Sequence, residues 1–172
     1  MNHDGYSDAY IKSIFRSHKT FAMVGASTNK VRPSYFALKY LQDKGFRVVP
    51  VNPGSAGTTL LGETVYSTLR DIPFPVEIVD IFRNATAALE ITKDAIDIGA
   101  KVIWMQLGVR NDEAAKLAEE AGLKVVMNRC PKIEYGRLSG EISWAGVNSR
   151  TISSKKQKLA KKGVQHRVLR DD

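Results

Sequence analysis

The sequence predicts an α/β protein: a single doubly wound domain with a mostly parallel five-stranded sheet and helices on both faces. Three observations carry that expectation. Five short apolar runs, several rich in β-branched residues, alternate along the chain with longer segments of helical period. Parallel neighbours need crossover connections of about a dozen residues or more, and most segments between the runs are long enough to supply them as helices. A length of 172 residues with 43% hydrophobic composition suits one domain with a substantial core and is too short for several.

Thr20-Phe21-Ala22-Met23-Val24 is the first strand and ends at Gly25. Ser34 to Lys44 follows as a helix with Phe36, Leu38, Tyr40 and Leu41 as apolar members, and Gly45 closes it. Phe46 to Val51 is the second strand, and Asn52-Pro53-Gly54 turns out of it, since Pro53 cannot extend a central strand. The third unit runs from Val76 to Phe82 and on into Ala85 to Ile98, where Ala88, Ile91, Ala95 and Ile98 make one stripe before Gly99. The fourth joins Val102 to Met105 with a helix over Asn111 to Ala121, in which Asn111 suits the N-cap and Asp112 and Glu113 the positive helix start. After Gly122, Leu123 to Met127 is the last strand. A helix ahead of the first strand, Asp8 to Arg16 with Ile11, Ile14 and Phe15 on one side, is expected to pack on the edge of the sheet.

Composition excludes several classes. No apolar stretch approaches the roughly 18 to 20 residues needed to cross a bilayer, so no membrane partner is expected. The opening Met1-Asn2-His3-Asp4-Gly5 lacks the basic and apolar regions of a signal peptide, which predicts a cytoplasmic protein. One cysteine, Cys130, and three scattered histidines cannot build a disulfide or a four-ligand zinc site. The formal charge of +8 comes from 26 basic and 18 acidic residues, but residues 150 to 172 hold eight of the bases and only two of the acids. That tail is expected to be a disordered, solvated segment capable of weak polyanion contact or of acting as a nuclear-import-like cluster, rather than a specific nucleic-acid reader. The remainder is close to neutral. An interaction protein docking through this tail stays open as a reading, and the oligomeric state is not specified.

In open α/β sheets, ligands bind beyond the carboxyl ends of the strands, where strand order reverses. The first such loop is Gly25-Ala26-Ser27-Thr28-Asn29-Lys30-Val31-Arg32-Pro33-Ser34. Gly25 permits a sharp turn, Ala26 and Ser27 permit close approach, and the helix behind, with Pro33 in its first turn, offers N–H groups to a phosphate. Lys30 and Arg32 add cations. The dinucleotide pattern Gly-x-Gly-x-x-Gly is absent, as is the acid expected at the end of the second strand, where Asn52 stands. No Gly-Lys-Ser/Thr occurs, so ATP hydrolysis has no support. An NAD(P)-binding oxidoreductase or redox sensor remains the alternative reading.

Val24-Gly25-Ala26-Ser27, Arg32-Pro33-Ser34, Pro50-Val51-Asn52-Pro53, Val79-Asp80-Ile81-Phe82-Arg83, Trp104-Met105-Gln106-Leu107-Gly108-Val109 and Asn128-Arg129-Cys130 occur in this order. With them the chain resembles the stand-alone CoA-binding domain family, whose Rossmann-like module also forms the N-terminal domain of the succinyl-CoA synthetase alpha subunit. The resemblance covers residues 8 to 140 and extends to Gly57 to Tyr66. It implies coenzyme A, or an acyl-CoA, bound by its nucleotide end in a non-catalytic role. The phosphates would lie on Gly25, Ala26 and Ser27 with Lys30 and Arg32 near the pyrophosphate or 3′-phosphate, and Ser34 would belong to the same cofactor-binding set. Adenine would sit between Asn52-Pro53 and Phe82-Arg83, and pantetheine would pass Met105, Gln106 and Leu107. From the residues alone, Phe82 serves equally as a stacking face or a core residue, and Arg83 as a phosphate partner or a solvated arginine.

There are departures from the family pattern. The synthetase's phosphohistidine domain is absent from this sequence, and its CoA-contacting lysine matches Ser55. His3, His18 and His166 fall outside the matched motifs, and Asn128 stands where the family usually has Asp. Cys130 follows the last strand beside Arg129, a cation expected to favour thiolate; a buried hydrophobe, a mixed-disulfide partner of CoA and a catalytic thiol are its three readings. Glu134 is expected to be a salt-bridging surface residue, and Trp104 and Trp144 to serve packing. No catalytic or metal-binding residue is assigned.

Overall fold

The computed structural model describes residues 1–141; the expected tail over 150–172, together with Trp144 and His166, lies outside the described residues. In chain order the elements are α1 (Asp8–Ser17), β1 (Thr20–Val24), α2 (Pro33–Asp43), β2 (Arg47–Val51), β3 (Thr59–Leu60), β4 (Glu63–Thr64), β5 (Ile78–Ile81), α3 (Ala88–Asp97), β6 (Val102–Met105), α4 (Asp112–Glu120), β7 (Lys124–Val126) and α5 (Pro131–Leu138). β2, β1, β5, β6 and β7 stand side by side in that order, and every pairing is parallel. The doubly wound α/β sheet is therefore as expected.

Alternation along the strands builds two separate cores. Phe21 and Met23 face a layer containing α1, α2 and α5, while Ala22 faces the layer of α3 and α4. In the first layer Phe15 lies 5.4 Å from the Trp104 ring and 5.3 Å, edge-on, from Tyr135, and Phe46 continues the cluster. Trp104 is fully buried and its indole N–H donates to Arg129 O at 2.8 Å, which agrees with a packing role.

Four details differ from the sequence expectation. The connection from β2 to β5 carries no α-helix; two 3₁₀ turns and the β3–β4 hairpin span it, because Asn52 to Phe74 is dense in Gly, Pro, Ser and Thr and offers no helical stripe. α1 does more than flank the edge. Ile11, Ile14 and Phe15 lie beneath the sheet in the core, while Tyr10 Oη donates to Val125 O and accepts from Val125 N, both at 3.1 Å, sealing the open side of β7. α3 starts only at Ala88 after a 3₁₀ turn, and its fully buried positions are Ala88, Thr92 and Ala95 rather than the isoleucine pair. α5 was not expected, since its buried residues Pro131, Glu134, Tyr135 and Gly136 do not read as an apolar stripe.

The other helix signals hold. Asn111 Oδ1 accepts from Ala114 N at 2.8 Å as the N-cap of α4, and Gly45, Gly99 and Gly122 follow helices with positive φ.

Candidate functional site

The strand order reverses at β1, which has β2 on one side and β5 on the other, with α2 and α3 on opposite faces. The loops after β1, β2, β5, β6 and β7 gather at this end. Gly25 sits at the reversal with φ +89°, its N–H donating to Val51 O at 2.9 Å. A Cβ there would meet Phe82 O at 2.6 Å and the Arg83 side chain at 2.9 Å, so only glycine lets the first and third loops approach this closely.

The first loop is held by its own side chains. Ser34 Oγ accepts from Ser27 N at 3.0 Å, Ser27 Oγ from Asn29 N at 3.1 Å and Asn29 Oδ1 from Val31 N at 3.1 Å. Asn52 ties it to the second loop, donating from Nδ2 to Ala26 O at 2.8 Å while Oδ1 accepts from Gly54 N at 2.9 Å. The backbone N–H groups of Ala26, Thr28 and Lys30 have no acceptor among the described residues. Neither do the exposed side chains of Lys30, Arg32 and Arg83 hold a carboxylate, whereas Arg47, Arg70, Arg110, Arg129 and Arg137 all do.

The structure thus brings Gly25, Ala26, Ser27, Lys30, Arg32, Ser34, Asn52, Pro53, Phe82 and Arg83 to one end of the sheet, in unequal roles. Ser34 is buried, and both polar ends of Asn52 are occupied within the protein, so these two shape the loops. Pro53 is exposed on a 3₁₀ turn, and Phe82 is half-buried against the core of the α1, α2 and α5 layer. In the stretch after β6, Met105 is fully enclosed in the α3 and α4 core, because strand alternation turns it to that face. Its side chain is therefore not open to a ligand. Leu107 is 60% exposed and Gln106 only 5%.

Sequence reading missed Asp80. It stands in the central strand β5, fully buried, and both its oxygens accept from Gln106 Nε2, at 2.9 and 3.1 Å. Burial pushes its acid up to about 8, against the opposing effect of the Gln106 hydrogen bond, so it is neutral at pH 7. The signal was present in an acid flanked by Val79 and Ile81 in a strand buried on both faces.

Cys130 is the N-cap of α5 at the same end of the sheet. Burial pushes its thiol up and Asp80 adds to that, while the N–H groups of Ile133 and Lys132 and the Lys132 ammonium act against it, which favours the buried hydrophobe among its three readings over a thiolate. Arg129 does not supply the expected help, since its guanidinium lies over Tyr6 at 5.6 Å and donates to Asn128 O at 2.8 Å. Glu134 is buried rather than on the surface and accepts from Arg137 at 2.7 Å. Asn128 takes φ +53°, a conformation Asn tolerates, and its Oδ1 accepts from Gly108 N at 2.8 Å, joining the loops after β6 and β7.

Fold and site together define a doubly wound α/β protein in which, among the described residues, amides without acceptors and cations without carboxylates stand at the topological switch point. The model of the CoA-binding domain family matches residues 19–136, and the chain belongs to that family. It is 34% identical to the uncharacterized protein YneT of Bacillus subtilis (strain 168) over 75% of this chain and 94% of that one. A hypothetical protein from Pyrococcus horikoshii OT3 superposes with a TM-score of 0.74 at 40% identity, covering 80% of this chain and 96% of the other. A dinucleotide-forming acetyl-coenzyme A synthetase of Ca. Korarchaeum cryptofilum shares the fold, with TM-score 0.55 and 23% identity over 64% of this chain and 26% of its own. Among the described residues, no helix is long and apolar enough to cross a membrane.

Proposed function

We propose that this protein binds coenzyme A or an acyl-CoA by its nucleotide end at the carboxyl edge of the sheet, as a binding protein rather than a catalyst. The observation that carries the reading is the set of cations unpaired among the described residues, Lys30, Arg32 and Arg83, beside the N–H groups of Ala26, Thr28 and Lys30 that find no acceptor there. Cations without carboxylates, next to amides without acceptors, are what the pyrophosphate and 3′-phosphate of CoA require. Family membership supports CoA as the owner of those phosphates. Adenine fits between the Asn52-Pro53 turn and Phe82-Arg83, and pantetheine runs past Gln106 and Leu107.

A thermal-shift comparison of CoA, 3′-dephospho-CoA, NAD, NADP and ATP tests this. A ligand at about 100 times its Kd adds roughly 2.7 kcal/mol to the native state, a rise of several degrees for a domain of this size. CoA is expected to give the largest rise, 3′-dephospho-CoA a smaller one, and Arg32→Glu and Arg83→Glu to abolish most of it. A rise with NAD or NADP alone would replace this reading with the dinucleotide one.

A further inference from the structure

Four large hydrophobic side chains stand exposed among the described residues, Met1, Val31, Phe36 and Leu107, and the last three lie at the carboxyl end of the sheet. Val31 is 76% exposed in the loop after β1, between Lys30 and Arg32. Phe36 is 50% exposed in the first turn of α2, outside the core that Ala37, Leu38 and Leu41 of the same helix enter. Leu107 lies in the loop after β6. Exposed apolar residues scattered singly are ordinary, but these three border one edge. Lys132 Nζ, in the first turn of α5, lies 5.9 Å from the Phe36 ring and so sets Phe36 beside the start of that helix. The loop that leads into α5 is tied to the Leu107 loop, since Asn128 Oδ1 accepts from Gly108 N at 2.8 Å. Val31 joins the same edge through Arg32, whose carbonyl accepts from Tyr35 N at 3.0 Å as α2 begins. Apolar groups thus stand directly next to the cations proposed to meet phosphate.

We infer that this edge takes the aliphatic chain of an acyl-CoA, so that the protein prefers a thioester with a chain of several carbons to free CoA. The surface matches such an amphiphile at both ends: Lys30, Arg32 and Arg83 face a polyanionic head, and Val31, Phe36 and Leu107 an uncharged apolar tail. Pantetheine running past Leu107 brings its sulfur to the edge where these side chains stand, and the acyl chain begins at that sulfur. Free CoA leaves the three in water, whereas a chain laid over them removes apolar surface from water on both partners. This rests on the CoA reading above and adds the class of acyl group.

The test titrates CoA, butyryl-CoA and octanoyl-CoA calorimetrically into the wild type and into the double variant Val31→Ser with Phe36→Gln. A methylene fully removed from water is worth about fourfold in affinity, and one lying on an open edge about twofold. Octanoyl-CoA, four methylenes longer than butyryl-CoA, is expected to bind the wild type roughly tenfold more tightly. In the double variant the two thioesters are expected to bind within about threefold of each other. CoA itself should bind both proteins alike, because the two replaced side chains are exposed and stand apart from its proposed contacts; that result also shows that the variant has folded. Equal affinity of the two thioesters for the wild type, or a gain that survives in the double variant, would overturn the inference. So would a wild-type dimer in sedimentation velocity that the double variant loses, which would give the edge to a second copy of the chain. Flotation of the wild type with anionic phospholipid vesicles, lost in the double variant, would overturn it in favour of a membrane surface. Binding of CoA without the chain-length gain removes this inference alone, whereas failure of all three ligands to bind the wild type removes the CoA reading with it.

Discussion

Replacing Gly25 by Ala puts a number on the close approach at the switch point, because Gly45 supplies a matched control. Both residues have φ +89°, but a Cβ on Gly45 has nothing within 4 Å, whereas one on Gly25 meets Phe82 O at 2.6 Å. Gly45→Ala therefore bears the dihedral cost alone, about 1–2 kcal/mol. Gly25→Ala bears that cost and the displacement of a backbone carbonyl anchored at the end of β5, where Phe82 N donates to Val24 O at 2.8 Å. Overpacking of this kind adds about 1–3 kcal/mol, for a total of about 2–5 kcal/mol. Urea unfolding at fixed pH, with the m-value checked for constancy, reads both numbers. The difference between the two variants, rather than either value, is the contact term. If Gly45→Ala costs as much as Gly25→Ala, the loops yield freely and the argument that only glycine fits at the switch point is refuted.

Three further outcomes follow from single residues. Asp80 has its acid raised to about 8 in the fold against about 3.8 unfolded, so the native state holds the extra proton and stability falls as pH rises from about 4 to about 8; the loss is of the order of 4 kcal/mol between pH 5 and 8. Asp80→Asn should flatten that fall in urea titrations at the two pH values, and an unaltered slope would assign it to other groups. Cys130, its thiol pushed up mainly by burial, should react with iodoacetamide at pH 7.5 more slowly than a free thiol; a wild-type rate above that of the free thiol would contradict the assignment. Tyr10→Phe should cost about 1–2 kcal/mol and speed hydrogen exchange at the Val125 amide, which loses its hydroxyl acceptor.

The strands were legible because each is a short apolar run with turn residues behind it, and the helix ends because Gly45, Gly99, Gly122 and Asn111 act locally. Strand order was less legible, although Pro50 carried a clue. Tyr66 N donates to Pro50 O from outside the sheet, so the missing proline N–H also falls on the outer side of β2, an edge strand. α5 was hidden because it buries Glu134 and Gly136, whose burial depends on Arg137 and on contact with α1 and α2 rather than on apolar character. The hydrogen bonding of the loop residues was not legible. Ser34 and Asn52 are polar groups at the right end of the sheet, and nothing in the sequence says that each bonds a backbone group 7 or 26 residues away.

That division of roles makes a last prediction about Asn52. Binding is strong for its contact area when the site is already ordered, since loop freedom need not be lost on association. Asn52 joins the first and second loops through Ala26 O and closes its own turn through Gly54 N. Asn52→Ala should therefore lower stability by about 1–2 kcal/mol and weaken CoA in the same variant, because loosened loops must be reordered by the ligand. Arg32→Glu differs in kind. Its side chain is exposed and makes no bond among the described residues, so affinity should fall with the unfolding midpoint of the ligand-free protein unchanged. Measuring both quantities for both variants separates a residue that builds the cleft from one that meets the ligand. An Asn52→Ala protein of wild-type stability that no longer bound CoA would move Asn52 into direct contact with the ligand.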